Sequence, residues 1–386
     1  MKNLLGMTME ELKLFVVEIG EKPFRGKQIY NWLNQGARSF DEMTDLSKAL
    51  REKLKAEAQI GGCRAIRMQE DKSDGTCKIL FEAETAAEGS AAAETGAAAS
   101  GKPADTFEGV FMRYSYGNSL CVSSQVGCKM GCKFCASALG GFVRNLDAGE
   151  MLGQVLEAER VTSGAGAADG RDAADGSREK VSRIVIMGMG EPFDNYENVA
   201  KFLRLLHAEE GRNMSWRNMT VSTSGLIPGI RRFAEDFPQV NLAISLHRLT
   251  DEGRSRIMPV NRKYPLDQLL EAARDYTDKT HRRITCEYAL IEGENDTDKD
   301  VELMIKRLGG MLCHVNLIPL NKVDETGFNG TSRKRAHEIA ERLENAGIPA
   351  TVRRQLGSEI DGACGQLRLR QQAAEDLADR RKSAES

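Results

Sequence analysis

RIVIMGMGEPFDNYENVAKFLRLLHAEEGRNMSWRNMTVSTSG (residues 183–225) holds one complete unit of the pattern on which the fold depends. A short apolar run, RIVIMG (183–188), is followed by an amphipathic stretch, NYENVAKFLRLLHAE (195–209), and by a second run, NMTVSTS (218–224). Strand, helix and strand at this spacing imply parallel strands joined by a crossover helix. The pattern extends in both directions. SLCVSSQ (119–125) precedes it, and QVNLAISLH (239–247), RITCEYALI (283–291), CHVNLIPLN (313–321) and PATVRR (349–354) follow. Amphipathic stretches such as AGEMLGQVLEAERV, PLDQLLEAARDYTD and SRKRAHEIAERLENAG separate these runs. Repeated about six times, the unit makes either an open (β/α) barrel or a doubly wound sheet. Most runs end in small or polar residues with ligand chemistry: GMGEP, STSG, SLH and LN. A parallel barrel gathers such strand ends on one face, where sites are built, and this favours an α/β fold with a partial (β/α)6 barrel.

Upstream, residues 8–60 show helical periodicity. TMEELKLFVVEIG begins with a Thr cap and a Glu three positions on and ends in Gly, FRGKQIYNWLNQG repeats the helix-then-Gly pattern, and DLSKALREKLKAE follows. A small N-terminal helical accessory domain over residues 1–75 is expected. Two strand-like runs, TCKILF (76–81) and FEGVFMRY (107–114), read as a β-hairpin extension over 76–117. Its turn is overgrown by the Ala/Gly-rich segment 82–105, and a similar segment, 164–178, interrupts the barrel expected over 118–370. Neither has the large apolar residues that offset the entropy of ordering, so both read as solvated insertions, with a charged tail over 371–386.

The chain has 386 residues, 41% hydrophobic and 29% charged, with a net charge of −3. The two insertions carry −4 and −1, so the remainder sums to +2 and charge neither supports nor excludes an RNA partner. No apolar run approaches the roughly 18 residues of a spanning helix, and the acidic, amphipathic start does not resemble a signal peptide. Nine cysteines without regular spacing argue against a disulfide scaffold, and a reducing cytoplasm is expected.

Three of those cysteines stand out. Cys128, Cys132 and Cys135 form a C-x3-C-x2-C triplet directly after an expected strand, a spacing that chance supplies about 0.005 times in a chain of this length and Cys content. Three neighbouring thiolates want a metal. Structural zinc takes four closed ligands, and no fourth Cys or His lies nearby in sequence, the next His being His207. An iron–sulfur cubane held by three cysteines leaves one iron open to substrate. Cys364, set in Asp-Gly-Ala-Cys-Gly-Gln (361–366), has neighbours so small that its sulfur can reach an open site.

The triplet resembles that of the radical S-adenosylmethionine (SAM) superfamily. LCVSSQVGCKMGCKFCASALGGFVRNL, VIMGMGEPFDNYENV, MTVSTSGLIPGI, LAISLH, RSRIMPVNRKY, NLIPLN and DGACGQL resemble, in order, the motifs of its RlmN/Cfr family of RNA methyltransferases. The resemblance covers residues 8–80 and 106–370 and is closer to the RlmN branch. It implies a methyltransferase acting on adenine C2 of 23S ribosomal RNA and of tRNA, with a 4Fe-4S cluster on Cys128, Cys132 and Cys135. It also implies two SAM molecules per turnover, one as methyl donor and one as radical source. By the same resemblance Cys364 carries the methyl group, Cys121 resolves the protein–RNA adduct by forming a disulfide with Cys364, and Glu108 accepts the C2 proton. SAM is assigned to Gly190, Glu191, Ser222, Ser245, Leu246, His247 and Asn321. The implied partners are the two RNAs and an electron donor such as flavodoxin or ferredoxin, with the protein a monomer off the membrane. RNA selection is expected from the helical module and from the basic pairs Arg231-Arg232, Arg282-Arg283 and Arg353-Arg354. Two alternatives stay open: the Cfr-type sister that methylates adenine C8, and a non-enzymatic RNA-binding protein that uses a metal to fix its fold.

Overall fold

The structure is a computed structural model that describes residues 1–84, 105–163, 179–320, 327–354, 360 and 367–368. Most of the first insertion, all of the second, the tail, Asn321 and Cys364 lie outside the described residues.

The N-terminal module consists of β1 (Lys2–Asn3), α1 (Met9–Glu18), α2 (Phe24–Asn34), α3 (Lys48–Glu57) and β2 (Ala58–Gln59). The expected capping signal is realised: Thr8 Oγ1 accepts from Glu11 N while the Glu11 carboxylate accepts from Thr8 N. An antiparallel meander follows, made of β3 (Cys63–Glu70), β4 (Cys77–Ala83), β5 (Thr106–Tyr114) and β6 (Gly117–Cys121). Two features differ from the sequence reading. Strand β3 lies within the span assigned to helices, and β4 runs two residues into the expected insertion, to Ala83. Both follow from pairing, since Cys63 sits opposite Ala83 and extends the ladder to its end.

Beyond β6 come β7 (Gln125–Gly127), α4 (Ala136–Leu139), β8 (Phe142–Asn145) and α5 (Ala148–Thr162). The repeat continues with β9 (Val181–Ile186), α6 (Tyr196–His207), β10 (Met219–Thr223), α7 (Ile227–Asp236) and β11 (Asn241–Ser245). It ends with α8 (Asp251–Ile257), α9 (Leu266–Thr280), β12 (Ile284–Leu290), α10 (Asp298–Leu308), β13 (Cys313–Pro319), α11 (Arg333–Asn345) and β14 (Ala350–Val352). All seven apolar runs are strands. They pair in parallel in the order β14-β13-β12-β11-β10-β9-β6, with α5, α6, α7, α9, α10 and α11 as crossovers. The partial (β/α)6 barrel is therefore present, and β5, β4 and β3 prolong it into one ten-stranded sheet.

Strand alternation divides the two faces. Ile184, Ile186, Val221, Leu242, Ile244, Val315 and Leu317 face the helices and belong to one core that runs unbroken from Leu4 to Ala350. The inward positions are small or polar, among them Ser222, Ser245, Thr285 and Asn316. The N-terminal module joins this body through a seam of glycines on α5. A Cβ at Gly149 would stand 2.7 Å from Gly6 N, and one at Gly153 would stand 2.9 Å from Cys63 N. Only hydrogen at these positions lets the backbones approach so closely.

No helix among the described residues is long and apolar enough to cross a membrane.

Candidate active site

At the carboxyl end of β6, Cys121 pairs with Val110 of β5 and Val185 of β9. Two residues on, Ser123 knots the region together. Its Oγ donates to Glu108 O (2.6 Å) and accepts from Met189 N (2.9 Å), while the Gln154 side chain brackets its own N and O. Glu108 and Cys121 are thereby held at the same end of adjacent strands. The spacing of GMGEP also finds its reason here, because a Cβ on Gly188 would lie 2.7 Å from Val122 O, and one on Gly190 (φ +107°) would lie 2.8 Å from Ser124 Oγ.

The cysteine loop leaves this same end, between β7 and β8. Cys128 N donates to Gly141 O (3.0 Å), and Lys133 N donates to Ile257 O at the end of α8 (2.9 Å). The Phe134 ring meets His247 edge-on at 4.8 Å. Burial pushes the Cys128 thiol up to about 12, and the neighbouring Cys135 and Glu191 charges add to this. Cys132 is raised further, first by burial and then by Cys135 and Cys128, so the three thiols lie within electrostatic reach of one another. Among the described residues no set of three His, Cys, Asp or Glu side chains lies at the separation that one metal ion needs. A set of three thiols with no carboxylate or imidazole fits an iron–sulfur centre with one open iron. It does not fit a closed four-ligand zinc site.

The SAM candidates occupy neighbouring strand ends: Gly190 after β9, Ser222 on β10, and Ser245, Leu246 and His247 at the end of β11. His247 has φ +54°, and its Nδ1 accepts from Ala289 N (2.9 Å), which places the ring proton on Nε2. Burial, aided by the Arg254 cation, lowers its ionisation to about 3, so the ring is a neutral donor. The Glu191 carboxylate accepts from Phe193 N (3.0 Å), Thr223 Oγ1 (2.8 Å) and Ser224 N (2.6 Å), clamping the ends of β9 and β10 together.

Two buried cations were not singled out from the sequence. Arg254, wholly buried, donates to Ser224 O (2.6 Å), Ser245 O (3.0 Å), Leu246 O (3.2 Å) and Asn261 Oδ1 (3.0 Å). It therefore ties the SAM-facing ends of β10 and β11 to the segment on which the cysteine loop rests, and burial draws its ionisation down to about 10. Lys78, also wholly buried, places Nζ 3.0 Å from Glu108 Oε2, and Arg368 N donates to Oε1 at 2.6 Å. The only sequence signal for Lys78 was a lysine amid the apolar residues of TCKILF. Of the basic pairs, Arg232 is committed to Glu197 and Asp236 on the outer helices and Arg282 to Asn241. Arg353 and Arg354 stand exposed just past the carboxyl end of β14.

Comparison with known proteins agrees with this geometry. Residues 2–60 match the family described as ribosomal RNA large subunit methyltransferase N-terminal domain, and residues 122–308 match the radical SAM superfamily. A probable dual-specificity RNA methyltransferase RlmN of Caldanaerobacter subterraneus is 45% identical over 95% of this chain and 98% of its own. The protein of that description from Alkaliphilus oremlandii is 44% identical over 95% of this chain and 97% of its own. Among solved structures, a radical SAM methyltransferase from Sphaerobacter thermophilus superposes with a TM-score of 0.83 at 40% identity, covering 95% of this chain and 99% of that one.

Proposed function

The chain belongs to the RlmN family of radical SAM RNA methyltransferases, and on that premise we propose that it methylates C2 of adenine in 23S ribosomal RNA and in tRNA. The observation that carries this reading is the placement of Glu108 and Cys121 at one end of the adjacent strands β5 and β6, the end from which the cysteine loop departs. A protein that used a metal only to fix its fold would have no use for a buried carboxylate there.

Adenine C2 is an sp2 carbon without nucleophilic character, so polar transfer from a sulfonium cannot methylate it. When bound, the 4Fe-4S cluster and two SAM molecules supply a methyl group and a 5'-deoxyadenosyl radical. Cys128, Cys132 and Cys135 would hold the cluster, and Gly190, Ser222, Ser245, Leu246, His247 and Asn321 would hold SAM, with Glu191 and Arg254 fixing the backbone that presents them. The Cys364 thiolate takes the methyl group, whose carbon, after losing one hydrogen, adds to C2. Glu108 receives the C2 proton. The Cys121 thiolate then attacks the Cys364 sulfur; the S–S bond forms, the S–CH2 bond breaks with its electron pair left on the methylene carbon, and that carbon takes up a proton as the methylated base is released. A low-potential protein such as flavodoxin or ferredoxin would supply the electron to a monomeric enzyme. RNA binding falls to the N-terminal module, with Arg353 and Arg354 at the barrel mouth as backbone contacts for a base unstacked into it.

Mass spectrometry of nucleosides from RNA treated with the reconstituted enzyme is expected to show 2-methyladenosine. A product of 8-methyladenosine would overturn the C2 assignment in favour of Cfr-type chemistry.

The first insertion is not needed for this chemistry. Ala83 N donates to Asp105 O (3.1 Å), so the two ends are already adjacent, whereas Glu84 pairs with Arg38 (2.6 Å) and is kept. Replacing residues 86–103 by a short Gly-rich turn is expected to leave methylation within about two-fold, since surface loop length costs little. Thermal unfolding and methyl incorporation check this, and loss of activity with an unchanged midpoint would show that the segment contacts RNA.

A further inference from the structure

Lys78, Val110 and Cys121 lie in one cross-strand row on β4, β5 and β6, and Glu108 stands one pleat further along on the same inward face. Two strand spacings, about 10 Å, separate Lys78 from the resolving cysteine. The ammonium is 0% and the carboxylate 3% exposed, and Leu80 and Leu367, both buried, lie nearby in the same apolar surroundings.

We propose that Lys78 is a positioning residue for methyl transfer, its buried Nζ holding Glu108 Oε2 and so fixing the carboxylate with Oε1 turned to take the C2 proton. This rests on the reading that Glu108 is the acceptor. Oε1 accepts from Arg368 N, so that contact must open when RNA enters. It is also the contact with less behind it, because Arg368 Nε and Nη2 are buried without hydrogen-bond partners. Cys364 precedes Arg368 by four positions, and four residues of chain span no more than about 14 Å. In the step itself the C2–H bond breaks, the proton bonds to Oε1, and the bonding pair stays with the ring as it regains aromaticity. The surplus electron of the adduct needs a one-electron acceptor, which the iron–sulfur centre, held by Cys128, Cys132 and Cys135, would supply when bound. Among the described residues Arg368 also faces Glu108 and, through it, Asp105.

The test uses full-length reconstituted enzyme and RNA deuterated at adenine C2. Lys78→Met is expected to leave iron content and methylation of Cys364, read from the mass of its peptide, within about two-fold of the parent. RNA methylation should fall by about 100-fold, with a deuterium isotope effect that the parent lacks. Lys78→Arg, which keeps a cation in place should Lys78→Met not fold, is expected to retain methylation within about ten-fold and to show the same isotope effect. Methylation by Lys78→Met within about three-fold of the parent, or slowing in either variant without an isotope effect, would overturn the proposal. The underlying reading fails separately. Normal turnover by Glu108→Gln would remove Glu108 as acceptor, whatever Lys78→Met does.

Discussion

Cys121→Ala is expected to stop the reaction with protein and RNA still joined. The residue ends β6, is 6% exposed, and is held in register with Val110 and Val185, so its sulfur is fixed beside the inward face on which Glu108 lies. Alanine fills the same place in the strand and removes only the nucleophile. The methyl carrier still loads on Cys364, and the carbon still adds to C2. Nothing then attacks the Cys364 sulfur. A covalent species should accumulate, retarded on a denaturing gel and returned to the position of free protein by nuclease, while methylated RNA falls by about 100-fold or more. The Cys121→Ala, Cys364→Ala double variant has no carrier and should show no adduct. Normal turnover by Cys121→Ala, or an adduct that persists without Cys364, would refute the two-cysteine assignment even with the cluster and SAM site intact.

Replacing any one of Cys128, Cys132 or Cys135 by Ala should remove the iron altogether. Anaerobic reconstitution of the parent is expected to give about four irons with matching sulfide, falling to near zero in each variant along with SAM cleavage. The fold should survive, because the loop is only partly buried and none of the three belongs to the apolar core. The Cys128 and Cys132 thiols are raised by burial, Cys128 to about 12, so binding a cluster as thiolates must release protons. Apparent affinity should therefore rise with pH between 6 and 9, and a titration that is flat across this range would show that the thiols are not the ligands. Zinc uptake with no iron under the same conditions would overturn the radical chemistry.

The barrel was legible because each of its strands is buried against helices on one face, and an apolar run records that burial whatever its neighbours. Strand β3 left no such record. CRAIRMQE lies at the outer edge of the sheet with Arg64, Ile66, Arg67, Met68 and Glu70 exposed, so neither its composition nor its alternation marks a strand. The cysteine triplet, Cys121 and the strand-end serines were visible as residue types at fixed spacings. Lys78 and Arg254 were not, since a charge in a linear sequence reads as surface until tertiary structure supplies the carboxylate or carbonyls that hold it inside. Glu191 shows the converse. Its motif marked it as a candidate for the site, but the donors that occupy its carboxylate come from residues 193, 223 and 224, a combination that only folding brings together.

The glycine seam between the N-terminal module and α5 bears on how this chain can change over generations. At most tight contacts a new methyl group meets the tip of a side chain, which rotates away or is trimmed by a later substitution. At Gly149 and Gly153 the atoms opposite are backbone, and they have nowhere to retreat without moving a whole segment. No stepwise route of compensating replacements leads away from such a joint, because the first step already separates the two bodies. Loops away from the seam are free of this constraint, while the span from the N-terminal module to the barrel mouth stays the same length. A substrate measured against that span faces the same ruler in every descendant that folds.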